Sequence, residues 1–544
     1  MATLYRQNKN KTATYIVDSE SHYDKNKKQD RSKRRYSGMK LDKDGNIVPC
    51  RKYNKTGKYS KKNKKTNSSE IVNTCSSIVE KETLINKEYK YGAYYLLHSI
   101  VDQLGIETDL EKIFPFDYKQ ILSIVYFLII EENTALHNFK YFHYECIHPY
   151  GEDIPSPRST ELFKSITSEQ IYSFFETLKK FVKNGDILFY DGTNETTYSK
   201  NLEADYGKSK SGERLPQINL FYLVSKATGL PVYYRQVNGR IVDVQTVKML
   251  NVELGDMGYS NITFEMDRGF TSQENLIDMD KNGYQFIVGG KTNVNTVKEK
   301  IVNLNDIIDK NFENRIDDNL YCVKREIDYN NLANNVTGYK PNKPLYAYIY
   351  YDLDKRNAEI NEFHALLNEL KEELSDNKKY KSSNEKTYKK YFIINRDADN
   401  KIVSFENNTL AIEEETKSFG YFYLLTNCSD FTALELHTTY RERDSVEKRI
   451  DDLKNLLNNN RLLCSSDLSL NGKLFVSFVS LIVVSELRQR IRKSKACKKY
   501  TFMQLLKELN KIKCFIKKDG QYVVKEVLRS QNNLLKELKI EIFK

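Results

Sequence analysis

The sequence predicts an α/β fold, and three observations carry that prediction. Between residues 185 and 300, short apolar runs first follow one another across tight turns and then alternate with helical stretches, as in a sheet with helices packed on it. Helical periodicity with Pro breaks fills the region before it. A long β-rich stretch, 301–418, then separates this first half from a second apolar run and helix at 419–495.

Taken in order, residues 1–80 form a basic, flexible N-terminal arm. Residues 1–65 hold 20 Lys/Arg against 6 Asp/Glu, a net charge of +14, whereas the whole chain of 544 residues carries +12. The positive charge is therefore a property of one end, and little core can form there. RSKRRYSG and KYSKKNKK interleave tyrosines with cations, which suits either a phosphate-neutralising DNA arm or a solubilising tail.

Residues 81–184 read as a compact domain of short helices, with breaks at Pro115, Pro149, Pro155 and Pro157 and a cap at Ser159 or Thr160. A helical DNA-binding domain and generic helix packing both fit. His137, His143 and His148 lie close together without the spacing of a metal site, and ordinary polar histidines are the reading.

The first part of the core, 185–300, starts with DILFYD, a strand ending in Asp191, followed by the loop GTNETTYS. INLFYLVS and LPVYYRQV are strands joined by the turn KATG; DVQTVKMLNVELGDMG is a helix. NITFEMD is a strand ending in Asp267, a helix follows from about Ser272, and YQFIVGG closes the first half. Asp191 and Asp267 both sit at carboxyl ends of buried strands, the edge where α/β sheets build sites, although such acids also serve as caps and turn formers. For Glu195, Glu265 and Asp278, surface or capping duty is the default.

Residues 301–418 form a β-rich insertion subdomain, since a structureless loop of that length is improbable. FGYFYLLTN opens the second part of the core, 419–495, and a helix from Tyr440 to about Leu457 follows. Val446, Ile450, Leu453 and Leu457 make its packing stripe; Tyr440, Arg443, Glu447 and Lys454 fall within an arc of roughly 60° beside it. An aromatic, a guanidinium, a carboxylate and an ammonium in file suit a metal-bound phosphodiester, and a solvated charged face is the bland alternative.

ILSIVYFLII and LFVSFVSLIVV fall short of the ~18–20 apolar residues a membrane span needs and read as buried helices. The second is followed by RQRIRKSKACKK, a basic cluster suited to phosphate contact or to a solvated helix end. Residues 496–544 are a C-terminal helical region. The eight cysteines show no CxxC pair, which fits a reduced, cytoplasmic setting. Two strand-end acids and one helical acid on such a sheet are the hard-oxygen set that holds two Mg²⁺ or Mn²⁺ ions for in-line phosphoryl transfer.

The ordered set ILFYDGTN, LPQINLFYLVSKATGLPVYYRQVNGRIVD, MDRGFTSQENL, YFYLLTN and Y-x2-R-x3-E-x6-K resembles bacterial insertion-sequence transposases of the DDE class, in the insertion-sequence-4 superfamily and its 1634-like branch. The resemblance runs from about Tyr91 onward. It implies a ribonuclease-H-like catalytic core interrupted by the insertion, with Asp191, Asp267 and Glu447 as the catalytic and metal-binding triad, two ions per site. It implies that Tyr440, Arg443 and Lys454, with Arg268 beside the second acid, contact DNA. It also implies binding to terminal inverted repeats and target DNA, a homodimeric synaptic complex, no membrane, and a bacterial cytoplasm with the nucleoid as the place of action. Some relatives use a tryptophan in a hairpin route of second-strand cleavage; this chain has none. A nuclease that cuts without joining and a non-catalytic DNA-binding relative are the alternatives.

Overall fold

A computed structural model describes residues 87–132, 134–197, 204–207, 215–290, 311–332, 338–376, 379–397, 401–443, 464, 466–517 and 521–541, together with the backbone of four strands before residue 50. The chain divides into two compact units, residues 1–85 and 86–544.

In the first unit, β1 (Ala2–Gln7), β2 (Thr14–Asp24), β3 (Gln29–Leu41) and β4 (Ile47–Pro49) make an antiparallel sheet in chain order. The reading of residues 1–80 as a flexible arm does not foresee these strands, and residues 50–80 lie outside the described residues. Backbone pairing such as Asp18 opposite Arg35 and Glu20 opposite Lys33 runs through residues with no apolar alternation, so the periodicity that betrays a strand is missing.

The second unit opens with β5 (Tyr89–Lys90) and a helical layer: α1 (Gly92–Gln103), α2 (Ile106–Ile113), α3 (Tyr118–Ile130), α4 (Phe139–Glu145), α5 (Ser156–Ser165) and α6 (Ser168–Leu178). α5 starts at Ser156 after Pro155, with Pro157 in its first turn, rather than from a cap at Ser159 or Thr160. Ser159 instead donates its hydroxyl to the Ser156 carbonyl.

The sheet follows: β6 (Ile187–Thr196), β7 (Gln217–Ser225), β8 (Pro231–Asn238), α7 (Asp243–Asp256), β9 (Thr263–Met266), α8 (Gln273–Lys281) and β10 (Gln285–Gly289). β6 does not stop at Asp191. It pairs antiparallel with β7 from Leu188 to Thr196, and that pairing turns the polar GTNET segment into buried strand where a loop was expected.

Next come β11 (Arg315–Asp317), β12 (Leu320–Ile327), β13 (Leu345–Asp352), α9 (Leu353–Ser375), α10 (Glu385–Tyr391), β14 (Phe392–Arg396), β15 (Ile402–Asn407), α11 (Thr409–Thr416) and β16 (Tyr421–Thr426). The sheet order β11-β12-β13-β16-β10-β9-β6-β7-β8 shows that the first three strands of the 301–418 stretch extend the core sheet instead of standing apart. β14 and β15 form a separate two-stranded sheet on a small core of their own, with Phe363, Leu370 and Tyr388.

α12 (Ala433–Arg441), α13 (Asp467–Lys493), α14 (Phe502–Leu509), β17 (Lys513–Ile516), β18 (Tyr522–Val524) and α15 (Arg529–Glu537) complete the described chain. The C-terminal region is thus helical only in part, since β17 pairs with both β18 and β5. α13 is 27 residues long and, by length and composition, reaches what a membrane crossing needs, which the apolar run inside it did not. In the fold 83% of its apolar window is buried, so it is a core helix. Phe475 packs on Phe114 and Phe174, and Phe478 on Phe175 and Tyr234 of β8, locking the helical layer to the sheet.

Candidate active site

Asp191 and Asp267 come together through strand register. β6 and β9 run parallel, with Phe189 beside Glu265 and Tyr190 beside Met266, so the next residue along each strand is an aspartate. Neighbouring strands lie about 4.8 Å apart, and both chains stay extended there (Asp267 φ −69°, ψ 162°). Side chains two residues apart on a strand share a face, which puts Asp191, Asp267, Phe189 and Glu265 on one side of the sheet.

That side is the one α12 covers. Thr432 and Glu435 form a capping box that starts the helix at Ala433, ahead of the start expected at Tyr440. Leu436 packs with Ile287, Tyr348, Tyr350 and Leu424, and the Tyr348 and Tyr350 hydroxyls donate to the carbonyls of Phe431 and Ala433. So anchored, the end of α12 and the turn after it deliver Tyr440 and Arg443 onto Asp267. The Tyr440 hydroxyl donates to Asp267 Oδ1 at 3.3 Å, and Arg443 Nη1 lies 2.8 Å from the same oxygen. The guanidinium also donates to Tyr440 Oη at 3.4 Å and stacks 5.2 Å from the ring centroid.

Tyr440 reaches this position because Gly289 carries no side chain: a Cβ there would sit 2.5 Å from the tyrosine hydroxyl. Arg268 is exposed at the rim. Beside it a cavity of about 590 Å³ opens, lined by Asp267, Arg268, Lys355, Phe422, His437 and Arg441. The helix expected from Tyr440 onward instead ends at Arg441, where the Glu442 N–H turns back onto the carbonyls of Thr438, Thr439 and Tyr440, and Arg443 sits in the turn that follows; Glu447, Lys454 and the rest of the expected helix lie outside the described residues.

The electrostatics follow the contacts. Burial raises the Asp267 carboxyl, but the hydrogen bond and charge of Arg443, helped by the Arg268 N–H, outweigh it and leave its pKa below the usual aspartate value. A folded-state pKa below the unfolded ~3.9 gives stability that is complete above that pH and is lost as pH falls through the folded value. Arg443→Leu is therefore expected to unfold at lower temperature than wild type at pH 6, with the gap narrowing towards pH 3 in thermal melts. A gap that does not change with pH would rule out the ion pair as its cause. Burial also lifts the Tyr440 phenol well above its ordinary value, so it stays protonated and donates.

Glu265, for which surface or capping duty is the default expectation, has neither role. It is fully buried in β9, and neither carboxyl oxygen has a hydrogen-bond partner. Burial pushes its pKa well above the carboxylate range; Arg443 opposes this, while Asp191 and Asp267 reinforce it. An unsatisfied buried group of this kind costs roughly 1–3 kcal/mol. Its signal in the sequence was an acid inside the apolar run TFEM, two residues before Asp267. Glu195 is likewise buried in β6, whereas Asp278 lies part-exposed on α8.

His143 and His148 do meet, at 3.0 Å, and His148 also bonds to Ser123 Oγ at 3.0 Å. Burial, with His143 next to it, pulls His148 down to about 4. Among the described residues no three His, Cys, Asp or Glu side chains stand close enough to chelate a metal by themselves. Asp191 and Asp267 form a pair of oxygen donors, and a pair of carboxylates fits a hard divalent cation that keeps several waters.

A family model described as the transposase DDE domain matches residues 183–483, more than half of the chain. The chain belongs to the transposase DDE domain family. The matched span of this DDE domain holds Asp191, Asp267, Tyr440 and Arg443, and DDE transposases generally use divalent metal ions. No curated protein matches the chain. Among solved structures, a cryo-EM structure of a piggyBac transposase synaptic complex with hairpin DNA is 11% identical, over 76% of this chain and 70% of that one, with a TM-score of 0.33.

Proposed function

We propose that this DDE transposase belongs to a bacterial insertion sequence of the insertion-sequence-4 superfamily, in its 1634-like branch, and that Asp191, Asp267 and Glu447 hold two Mg²⁺ or Mn²⁺ ions on a ribonuclease-H-like core. The observation that carries the reading is the register of β6 and β9, which sets Asp191 beside Asp267 with Tyr440 and Arg443 converging on the second. Glu447 enters from the sequence alone, four residues after Arg443. Such ions, when bound, lower the pKa of a coordinated water or 3′-hydroxyl and offset charge on the leaving oxygen.

The chain's own groups do the rest. Asp191, within β6, and Asp267, directly after β9, present oxygens from paired, extended backbone, so little is lost in ordering them. Arg443 has a planar fork of donors held in place by Asp267 and the Tyr440 ring, the geometry that grips a phosphate oxygen beside the acids. Tyr440 orients Asp267. Exposed Arg268 and, from the sequence, Lys454 contact the backbone of the transposon end. The partners are duplex DNA, first as terminal inverted repeats and then as target, and a second copy of the chain in a synaptic dimer. The setting is the bacterial cytoplasm, on the nucleoid when bound.

The test is cleavage of a labelled duplex carrying the element's own terminal repeat, with Mg²⁺ or with chelator, by wild type and by Glu447→Gln, with binding measured alongside. Cleavage by wild type alone, in Mg²⁺ alone, followed by joining of the freed 3′-end to a second duplex, is the expected result. Cleavage without joining makes the protein a nuclease. Specific binding without cleavage makes it a non-catalytic binder, and equal cleavage by both proteins removes Glu447 from the site.

A further inference from the structure

Glu265 has no part in the chemistry above, yet its surroundings point to one. Its carboxyl is wholly buried with neither oxygen partnered, and its register neighbours are Phe189 on one strand and Ile287 on the other, neither of which can pair with it. Arg443, Lys226, Asp191 and Asp267 act on its charge without bonding either oxygen, and a buried carboxyl with no hydrogen bond is out of place unless something polar reaches it. Two residues further along, the same two parallel strands carry Asp267 and Asp191, so Glu265 stands under both on one face, about 7 Å along the strand. Its extra methylene lets the carboxyl extend towards them. Three such side chains do not converge tightly enough to chelate an ion directly. A cation held by the aspartates therefore keeps coordinated waters, as Mg²⁺ characteristically does, and a water on the inner side needs an acceptor.

We propose that Glu265 is a positioning residue of the cation site, accepting a hydrogen bond from a water on the ion that Asp191 and Asp267 hold. This rests on the reading of those aspartates as cation ligands. The experiment is Mn²⁺ binding to the full chain without DNA, by calorimetry, for wild type, Asp267→Asn, Glu265→Gln and Glu265→Leu, with a thermal melt of each metal-free protein.

Loss of such an outer acceptor weakens metal binding by about 10- to 100-fold. Glu265→Leu is expected at the weak end of that range while melting no lower than wild type, because a buried unsatisfied acid has been replaced by an apolar side chain of similar size. Glu265→Gln, whose amide oxygen still accepts, is expected to recover part of the affinity. If Glu265→Gln and Glu265→Leu both bind Mn²⁺ like wild type while Asp267→Asn does not, this proposal fails and the cation site stands. If Leu is misfolded, Gln alone decides, and wild-type affinity in it overturns the proposal. Wild-type affinity in Asp267→Asn would overturn the site itself.

Discussion

Asp191→Asn and Asp267→Asn are each expected to lower the rate of Mg²⁺-dependent strand cleavage by on the order of 10³-fold or more, with terminal-repeat binding close to wild type. The substitution keeps the shape of the side chain and removes the charge that a divalent ion needs, so the loss falls on the chemical step. Binding to the repeat relies on cations spread along the DNA and survives. The two variants separate further in stability. Asp267 is the partner of Arg443, whose guanidinium is largely buried, whereas Asp191 is bonded by the N–H of Gly192 next to it. Asp267→Asn is therefore expected to cost about 1 kcal/mol, a figure already reduced for the solvent that reaches Asp267, and Asp191→Asn less. Single-turnover cleavage and denaturant unfolding of both variants measure the two effects. Cleavage within tenfold of wild type in either variant would remove that aspartate from the reaction centre.

The order of strands and helices between 185 and 290 was legible where the strands are apolar and turns such as KATG carry a Gly. Where polar residues are buried by pairing, as along Thr193 to Thr196, composition pointed to loop and only the antiparallel partner β7 makes it strand. The charged strands of the first unit likewise show only in their backbone pairing. At the site, Asp267 was legible at the end of its strand, whereas Asp191 lies inside β6; the adjacency of the two was not legible, because strand neighbours are a property of topology and not of sequence distance. The start of α12 was missed because its capping box lies in a polar stretch ahead of Tyr440, the residue that drew attention. Glu265 was missed for the opposite reason. A lone acid in an apolar run is usually discounted as surface, and strand period alone gives it the face of Asp267.

Gly290→Ala is expected to destabilise the second unit by about 3 kcal/mol, at the top of the range for overpacking a core position. Gly290 directly follows β10, and its N–H donates to the Tyr423 carbonyl at 2.9 Å, so the backbone is tied to β16 and cannot back away. A Cβ there would lie 1.7 Å from Tyr423 Cε2 and 2.1 Å from Cζ, inside the ring itself. Tyr423 is buried at 3% exposure, paired across the sheet with Ile349, and can leave only by vacating its slot in the core. Tyr423→Leu removes the ring that the new methyl strikes. The double variant should therefore be more stable than the sum of the two single changes predicts, by about 1–2 kcal/mol in denaturant unfolding. Strict additivity, or a Gly290→Ala protein as stable as wild type, would contradict the close approach. Gly289, one residue earlier, gives room to the Tyr440 hydroxyl, so strain at Gly290 propagates to the residue that orients Asp267. Cleavage in Gly290→Ala should fall together with stability and recover with it in the double variant.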